Sequence, residues 1–431
     1  MASTNKRTYE FKTEAIAGIT TFFTMAYIVV VNPQIISADG KTGMAFSGVL
    51  TATVIICFTM TLLMGLYAKL PFAVAPGMGI NAFFTYTIVL GKGVPWPTAL
   101  GIIFWAGVFF LLISVTPIRE SIAKAIPREI RIAAAAGIGI FLTFIGLKGA
   151  GFIVSDPVTF VKIGALGKPA LLTTLGVAIA ILLMTRRSPF AFLVTIVGIT
   201  LISWALGLVT APAQKFSLPD FRSVFLKLDI WGALKLSLVP SIIAILFTDL
   251  FDSISTFIGV AHAGDLLDDD GHPQHLREGL IVDSLATMGA GLAGTSSGTA
   301  YIESIAGIEM GGRTGLTSIF TALCFLPCLF IAPLAGMVPP YATAAVLILV
   351  GAAMFRSVTQ INFSKIEEGI PAFLTLILIP LTFSITQGIL WGFISHVGLY
   401  LMVGRRRDIH PVMYALALVS IGLLVLERVQ W

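Results

Sequence analysis

Long apolar runs dominate the chain, and their lengths carry the first inference. Blocks of about fifteen to twenty-five apolar residues recur throughout, roughly what a helix needs to cross a 30 Å hydrocarbon layer. They fall at 14–36, 47–67, a short 77–90, 98–116, 130–147, 169–185 and 189–209. A polar stretch from 211 to 235 follows, and then a second set at 238–261, 277–294, a short 299–308, 316–338, 341–355, 370–385 and 387–403. One further apolar stretch, 411–426, comes after Arg405-Arg406-Arg407. The pattern predicts an all-α polytopic membrane protein of seven plus seven segments. Its expected divisions are a first repeat 1–210, an extracytoplasmic connector 211–236, a second repeat 237–404, and a C-terminal part 405–431 holding the basic loop and the last apolar segment.

Composition removes the soluble alternative. Of 431 residues, 57% are hydrophobic and 11% charged, against about 25% charged in an ordinary soluble domain. The net charge of +5 does not indicate nucleic acid, because the Lys and Arg residues gather at segment ends. Lys6, Arg7 and Lys12 precede the first segment, and Lys69 follows the second. Arg119, Lys124, Arg128 and Arg131 surround the fourth-to-fifth loop, and Arg186-Arg187 follow the sixth. A cytoplasmic N-terminus puts all of these inside, together with Arg356, Lys365 and Arg405–Arg407. The expectation is a multi-pass protein of the cell (inner) membrane. Because seven is odd, the second set must run with opposite topology, a recurrent plan of secondary transporters. The first block lacks a small-residue cleavage site and reads as a retained helix rather than a signal peptide. Cys57, Cys324 and Cys328 lie inside apolar blocks and read as packing residues.

The two halves echo each other faintly. Phe23-Thr24-Met25-Ala26-Tyr27 in the first segment answers Phe247-Thr248-Asp249-Leu250-Phe251 in the eighth. The third and tenth segments are both short, with extended lead-ins, Phe72 to Asn81 and Gly294 to Glu303. Aligning Pro76-Gly77 with Gly298-Thr299 sets Asn81 opposite Glu303. Non-helical backbone at membrane depth survives only beside protein or a watery cavity. Two broken segments at matching positions therefore predict a ligand site near the midplane. Pro76, with no N–H, suits an extended lead-in, and Gly77 and Gly79 admit a ligand against the backbone.

Asp249, Asp252 and Glu303 stand in apolar surroundings, where an ionisable residue is costly and becomes a functional candidate. Asp249 and Asp252 are three apart, ~4.5 Å along a helix axis, and are expected to share a proton. Glu303 is expected in the first turn of its half-helix, where the dipole favours negative charge. Other groups read more plainly. Asp268–Asp270 with His272 and His275 form a solvated loop rather than a metal cluster. Glu309 and Arg313 pair or snorkel near a segment end, Glu367-Glu368 begin a helix, and His396 is a packed residue. No phosphate loop or nucleophile motif is present, which disfavours ATP-driven transport. A membrane-embedded aspartyl hydrolase normally needs its acids on separate helices, whereas Asp249 and Asp252 share one.

Together these residues resemble the AzgA-like branch (adenine/guanine/hypoxanthine permeases) of the nucleobase–cation symporter 2, or nucleobase/ascorbate transporter, family. The resemblance rests on Thr20 to Tyr27 running to Asn32-Pro33, Ala75 to Phe84, Phe247 to Asp252, and Thr299 to Ser304. It implies a uracil-permease-like fold of fourteen segments in two inverted repeats, with core and gate domains, commonly dimeric. It also implies proton-coupled uptake of adenine, guanine or hypoxanthine, with H⁺ as the coupling ion. By motif match, Gly79, Asn81, Asp249, Asp252 and Glu303 inherit binding or coupling roles. Ser253 stands where the uracil and xanthine branches carry a His, which argues against those substrates.

Charge agrees on one point. Glu303 and Asp249 would neutralise the half-helix ends that an anion needs, whereas carboxylates suit the N–H donors of a purine and Asn81 can read a mixed edge. Phe83, Phe84, Phe251 and Tyr301 are near enough in sequence to supply aromatic walls. The expected partners are a purine base, the lipid bilayer and, by resemblance, a second copy of the chain, with no nucleic acid, cofactor or metal. A transporter of another nucleobase or of a small anion on the same fold is the alternative.

Overall fold

The computed structural model describes residues 11–116, 125–267 and 273–429. Lys6, Arg7, Arg119, Lys124 and the Asp268–Asp270/His272 run lie outside the described residues.

The first apolar block is two helices rather than one, α1 (Phe11–Met25) and α2 (Ile28–Ser37). Pro33, inside α2, offers no N–H to the Val29 carbonyl and crowds it. One turn upstream, the Val30 and Val31 N–H groups both turn to the Tyr27 carbonyl, at 3.1 and 3.0 Å. The rest of the first half is α3 (Phe46–Leu63), β1 (Val74–Pro76), α4 (Met78–Ala82) with wider turns continuing to Val89, α5 (Trp96–Val115) and α6 (Arg128–Gly149). A hairpin of β2 (Ile153–Asp156) and β3 (Phe160–Ile163) precedes α7 (Lys168–Thr185) and α8 (Ala191–Ala205). The second half runs α9 (Val239–Gly264), α10 (Leu276–Ala293), β4 (Gly298–Ala300) and α11 (Ser304–Glu309). It continues with α12 (Gly315–Phe325), α13 (Ala332–Gly336), α14 (Pro340–Phe355), α15 (Ile366–Thr382) and α16 (Ile385–Met402), and α17 (Pro411–Val429) closes the chain. Among the described residues, eight helices are long and apolar enough to cross a membrane. The 316–338 block is divided into α12, a tight turn and α13, with Pro327 and Pro333 at the divisions.

The same series of elements occurs twice, and each half contributes to two packed bodies. In one, the core, α5 packs on α9 and α10, and α12 packs on α1 and α3. In the other, the gate, α6 packs on α14 and α15, and α14 also touches α7 and α8. The two broken segments meet inside the core. β1 and β4 pair antiparallel there, with Val74 opposite Ala300 and Pro76 opposite Gly298.

This ribbon corrects the repeat alignment. Matched end for end, Val74–Pro76 corresponds to Gly298–Ala300, so Pro76 is the counterpart of Ala300 and not of Gly298. Asn81 then lies within α4 while Glu303 stands just before α11. The two are not equivalent positions.

The 211–235 connector lies over the core and is pinned to α3. Asp220 accepts the Ser47 hydroxyl at 2.8 Å and the Ser223 hydroxyl at 2.7 Å, and its own N–H bonds Thr51 Oγ1 at 2.9 Å. Burial works to raise the Asp220 carboxyl. The hydrogen bonds from Ser223, Ser47 and two backbone N–H groups outweigh it and hold the group below the ordinary carboxylate range.

Candidate functional site

A two-stranded ribbon inside a membrane protein leaves its outer edges unpaired, and lipid offers them no partner. Side chains supply the missing bonds. Thr61 on α3 takes the Val74 N–H at 2.9 Å and donates to the Val74 carbonyl at 3.1 Å. Ser304 Oγ accepts the Ala73 N–H at 3.0 Å and donates to the Tyr301 carbonyl at 2.7 Å. On the β4 edge, Asp283 accepts the Ala300 N–H at 3.1 Å and Thr287 donates to the Gly298 carbonyl at 3.0 Å. Tyr301, placed among the ligand contacts by its sequence position, spends its hydroxyl on the Pro76 carbonyl at 2.5 Å. It braces the ribbon from a buried position.

Asp249 is fully buried and accepts from Thr287 across the α9–α10 contact, while its Oδ1 has no partner. Asp283 is buried on α10 beside the same strand, and its Oδ1 is also unpartnered. Asp252, one turn from Asp249, instead lines a small cavity of about 60 Å³. Asp249 and Asp252 share a helix but not a set of partners. The acid that shares the surroundings of β4 with Asp249 is Asp283.

The cavity lies between the two bodies. Gly77, Gly79 and Ile80 form its floor at the start of α4, Thr248, Phe251, Asp252 and Ser255 one wall, and Arg131, Ala134, Ile138 and Met354 of the gate the other. Of the residues the sequence singled out, Gly79 and Asp252 line it directly. Asn81 is buried and does not line it; its Oδ1 accepts from Ser296 and its Nδ2 has no partner. An amide with one end satisfied leaves two buried N–H groups unused. Glu303 is half-buried and accepts the Tyr27 hydroxyl at 2.7 Å. Tyr27 sits at the α1–α2 break and packs edge-on against Phe192 of α8, ring centroids 5.2 Å apart. The break in the first segment thereby positions a hydroxyl against the tenth.

Sequence reasoning passed over three of these residues. Asp283 lies within a block read for its length, although its acid in apolar surroundings is the same signal that selected Asp249. Arg131 reads as a loop charge, yet it lies inside the first turn of α6. Tyr27 belongs to a motif used for recognition, not chemistry. Arg313, expected to pair with Glu309, donates to the carbonyls of Ile308 and Gly312, the latter at 2.8 Å. Glu14, buried on α1, accepts the Arg313 N–H at 3.1 Å and the Thr314 N–H at 3.4 Å, joining α1 to the start of α12.

The sequence profile of the Xan_ur_permease group, described as a permease family, matches residues 12–390. The chain belongs to that family. The permease is 42% identical over 411 residues to the adenine permease AdeP of Escherichia coli (strain K12), covering 95% of this chain and 92% of that one. It is 38% identical over 416 residues to the guanine/hypoxanthine permease PbuO of Bacillus subtilis (strain 168), covering 94% and 95%. Among solved structures, the transmembrane domain of a cyanobacterium bicarbonate transporter, BicA, gives a TM-score of 0.65 at 18% identity, covering 88% of the permease and 97% of that chain. SLC26A9 gives 0.62 at 10% identity, covering 92% and 66%. At these identities the structures speak for the fold alone, the seven-plus-seven inverted repeat. The permease is a multi-pass membrane protein and a transporter, not an enzyme.

Proposed function

We propose that this permease imports purine nucleobases of the adenine, guanine and hypoxanthine group, driven by coupled movement of H⁺. The observation that carries the reading is the pairing of functions around the β1–β4 ribbon. Glu303 offers a carboxylate already oriented by Tyr27, and Asn81 offers unused N–H donors. A purine presents N–H donors and ring-nitrogen acceptors along its edges, so the two side chains match both kinds of group. A bond from a base N–H to an ionised Glu303 is roughly twice as strong as a neutral one. Asp252 faces the cavity with no hydrogen bond among the described residues that fixes it as a structural group, which suits it to carry the coupling proton. Asp249 holds the α9–α10 contact through Thr287 and supports the site from behind. The printed names of AdeP and PbuO support the same substrate class.

In this reading the protein lies in the cell (inner) membrane with its N-terminus in the cytoplasm, as the distribution of Lys and Arg favours. The cavity of about 60 Å³ is far below the 300 Å³ or more typical of ligand pockets. The core must therefore move away from the gate before a base can enter.

The test is uptake of radiolabelled adenine, guanine, hypoxanthine, uracil and sulfate into cells lacking their own permeases, repeated with a protonophore. Saturable uptake of one or more purines that collapses with the protonophore is the expected result. Uptake of uracil or sulfate alone would overturn the substrate class, and purine accumulation indifferent to the protonophore would overturn the coupling.

A further inference from the structure

The cavity that Asp252 lines also receives a cation from the opposite body. Arg131, in the first turn of α6, faces it from the gate, while Thr248, Asp252 and Ser255 face it from α9 in the core. Arg131 is half-buried, and its Nε is buried with no hydrogen-bond partner. Thr248 Oγ1, in the facing wall, is buried and unpartnered as well. Two unsatisfied polar groups on opposite sides of one small cavity are uncommon in a settled interior.

The charged groups around Arg131 identify its missing acceptor. On its own helix, Arg128 is a like charge whose guanidinium is taken up by Gln360 Oε1 at 2.9 Å. Glu129, two positions away, lies on a different face of α6 and does not line the cavity. Met354, the lining residue from α14, has no charge. From α9 the charged group is Asp252. A guanidinium presents its N–H groups as a planar fork that fits a carboxylate bidentately, and it tolerates partial burial better than an ammonium.

We propose that Arg131 is the gate-side counter-charge of Asp252, and that the two close one end of the ligand cavity as an ion pair once core and gate draw nearer than they stand here. Separation of the bodies, which a purine needs in order to enter, pulls the pair apart. Contact made in one state and broken in the other gives the seam two discrete positions. The inference rests on the transport reading only in treating this cavity as the ligand's; the contact itself does not depend on what is carried.

Thiol accessibility tests it without a substrate. Ser255, exposed at the cavity's rim, is replaced by Cys in the full chain with Cys57, Cys324 and Cys328 changed to Ser. Labelling by a charged maleimide is then timed in purified protein. Arg131→Gln and Asp252→Asn are each expected to raise the labelling rate about fivefold or more, and the double variant no further, because partners in one contact are non-additive. Arg131→Lys keeps the charge but loses the planar fork, and should fall between the parent and Arg131→Gln. An unchanged rate in Asp252→Asn, or effects that multiply in the double variant, would overturn the pair. If Arg131→Gln does not fold, Arg131→Lys with and without Asp252→Asn carries the same comparison. The two readings fail separately: a normal labelling pattern with no purine uptake removes the substrate, and purine uptake with no labelling change removes the pair.

Discussion

The core and the gate are built from the same two repeats, yet they hold together differently. In the core, buried side chains bond across helices. Asn32 Nδ2 donates to Thr53 at 2.6 Å and Thr295 at 2.8 Å, Ser318 donates to the carbonyls of Leu70 and Phe72 at 2.7 and 2.9 Å, and Glu14 ties α1 to α12. In the gate, hydroxyls mostly turn back on their own helices. Thr143 bonds Gly139 at 3.0 Å, Thr195 bonds Ala191 at 2.7 Å, and Thr375 bonds Pro371 at 2.8 Å. Gate helices meet by close backbone approach, as core helices also do at Gly18, Gly65 and Gly107, but with fewer bonds added across the contact. A Cβ on Gly139 would stand 2.6 Å from the Gly351 carbonyl oxygen. Both are answers to the same problem, since lipid gives no hydrophobic drive for helices to associate. The core needs directional bonds because it carries irregular backbone. The gate carries none at the site and can rely on smooth, small-residue surfaces.

The sharpest way to break this contrast is to fill the gate crossing. Gly139→Leu forces a side chain into the Gly351 backbone, where neither helix can yield cheaply, and overpacking typically costs ~1–3 kcal/mol or more. Size-exclusion profiles of detergent extracts should show loss of the folded peak. Gly398→Leu, where no atom lies within 4 Å of the added Cβ, should leave the peak intact.

A smaller effect separates the two kinds of bonding. Asn32→Ala removes two buried core bonds and strands their partners, which is worth ~1–3 kcal/mol. Thr143→Val removes one bond within a gate helix and should cost about 1 kcal/mol or less. Thermal unfolding of the purified proteins should therefore rank Asn32→Ala well below Thr143→Val, and equal losses would remove the distinction.

The smallest effect lies outside both bodies, on the β2–β3 hairpin. The Thr159 N–H, the Lys162 ammonium and the Val158 N–H hold the Asp156 carboxyl down at about 2. A depressed carboxylate contributes fully above its ordinary value and loses that contribution only as pH falls toward the lowered one. Between pH 5 and 8 the group stays ionised, so Asp156→Asn should leave the pH profile of uptake unchanged. A shifted profile would mean that coupling is read outside the core acids.

Much of this organisation is legible along the chain, and its gaps have physical causes. Apolar length locates the segments, and paired short segments with Gly and Pro lead-ins locate the ribbon. What local pattern does not carry is which repeat packs on which, because each body mixes both halves. The α1–α2 break leaves a signal in Pro33, but its effect falls a turn upstream. Tyr301 and Asp283 take their tasks from the ribbon edges, and those edges exist only after β1 meets β4. The Asp249/Asp252 spacing suggests one acidic pair, and it carries no sign that Asp283, on the neighbouring helix, joins them beside β4.

The proposed division of work among the core acids is that Glu303 binds the base as a carboxylate while Asp252 carries the proton. Equilibrium binding of radiolabelled adenine, guanine or hypoxanthine to purified protein across pH 5–8 tests it directly. Glu303→Gln turns an acceptor into a donor facing the base's N–H, and should lose most binding at every pH. Asp252→Asn should bind within about tenfold of the parent, a loss of up to ~1.4 kcal/mol, and lose the pH dependence. Normal binding by Glu303→Gln, with binding abolished in Asp252→Asn, would contradict it by exchanging the two roles.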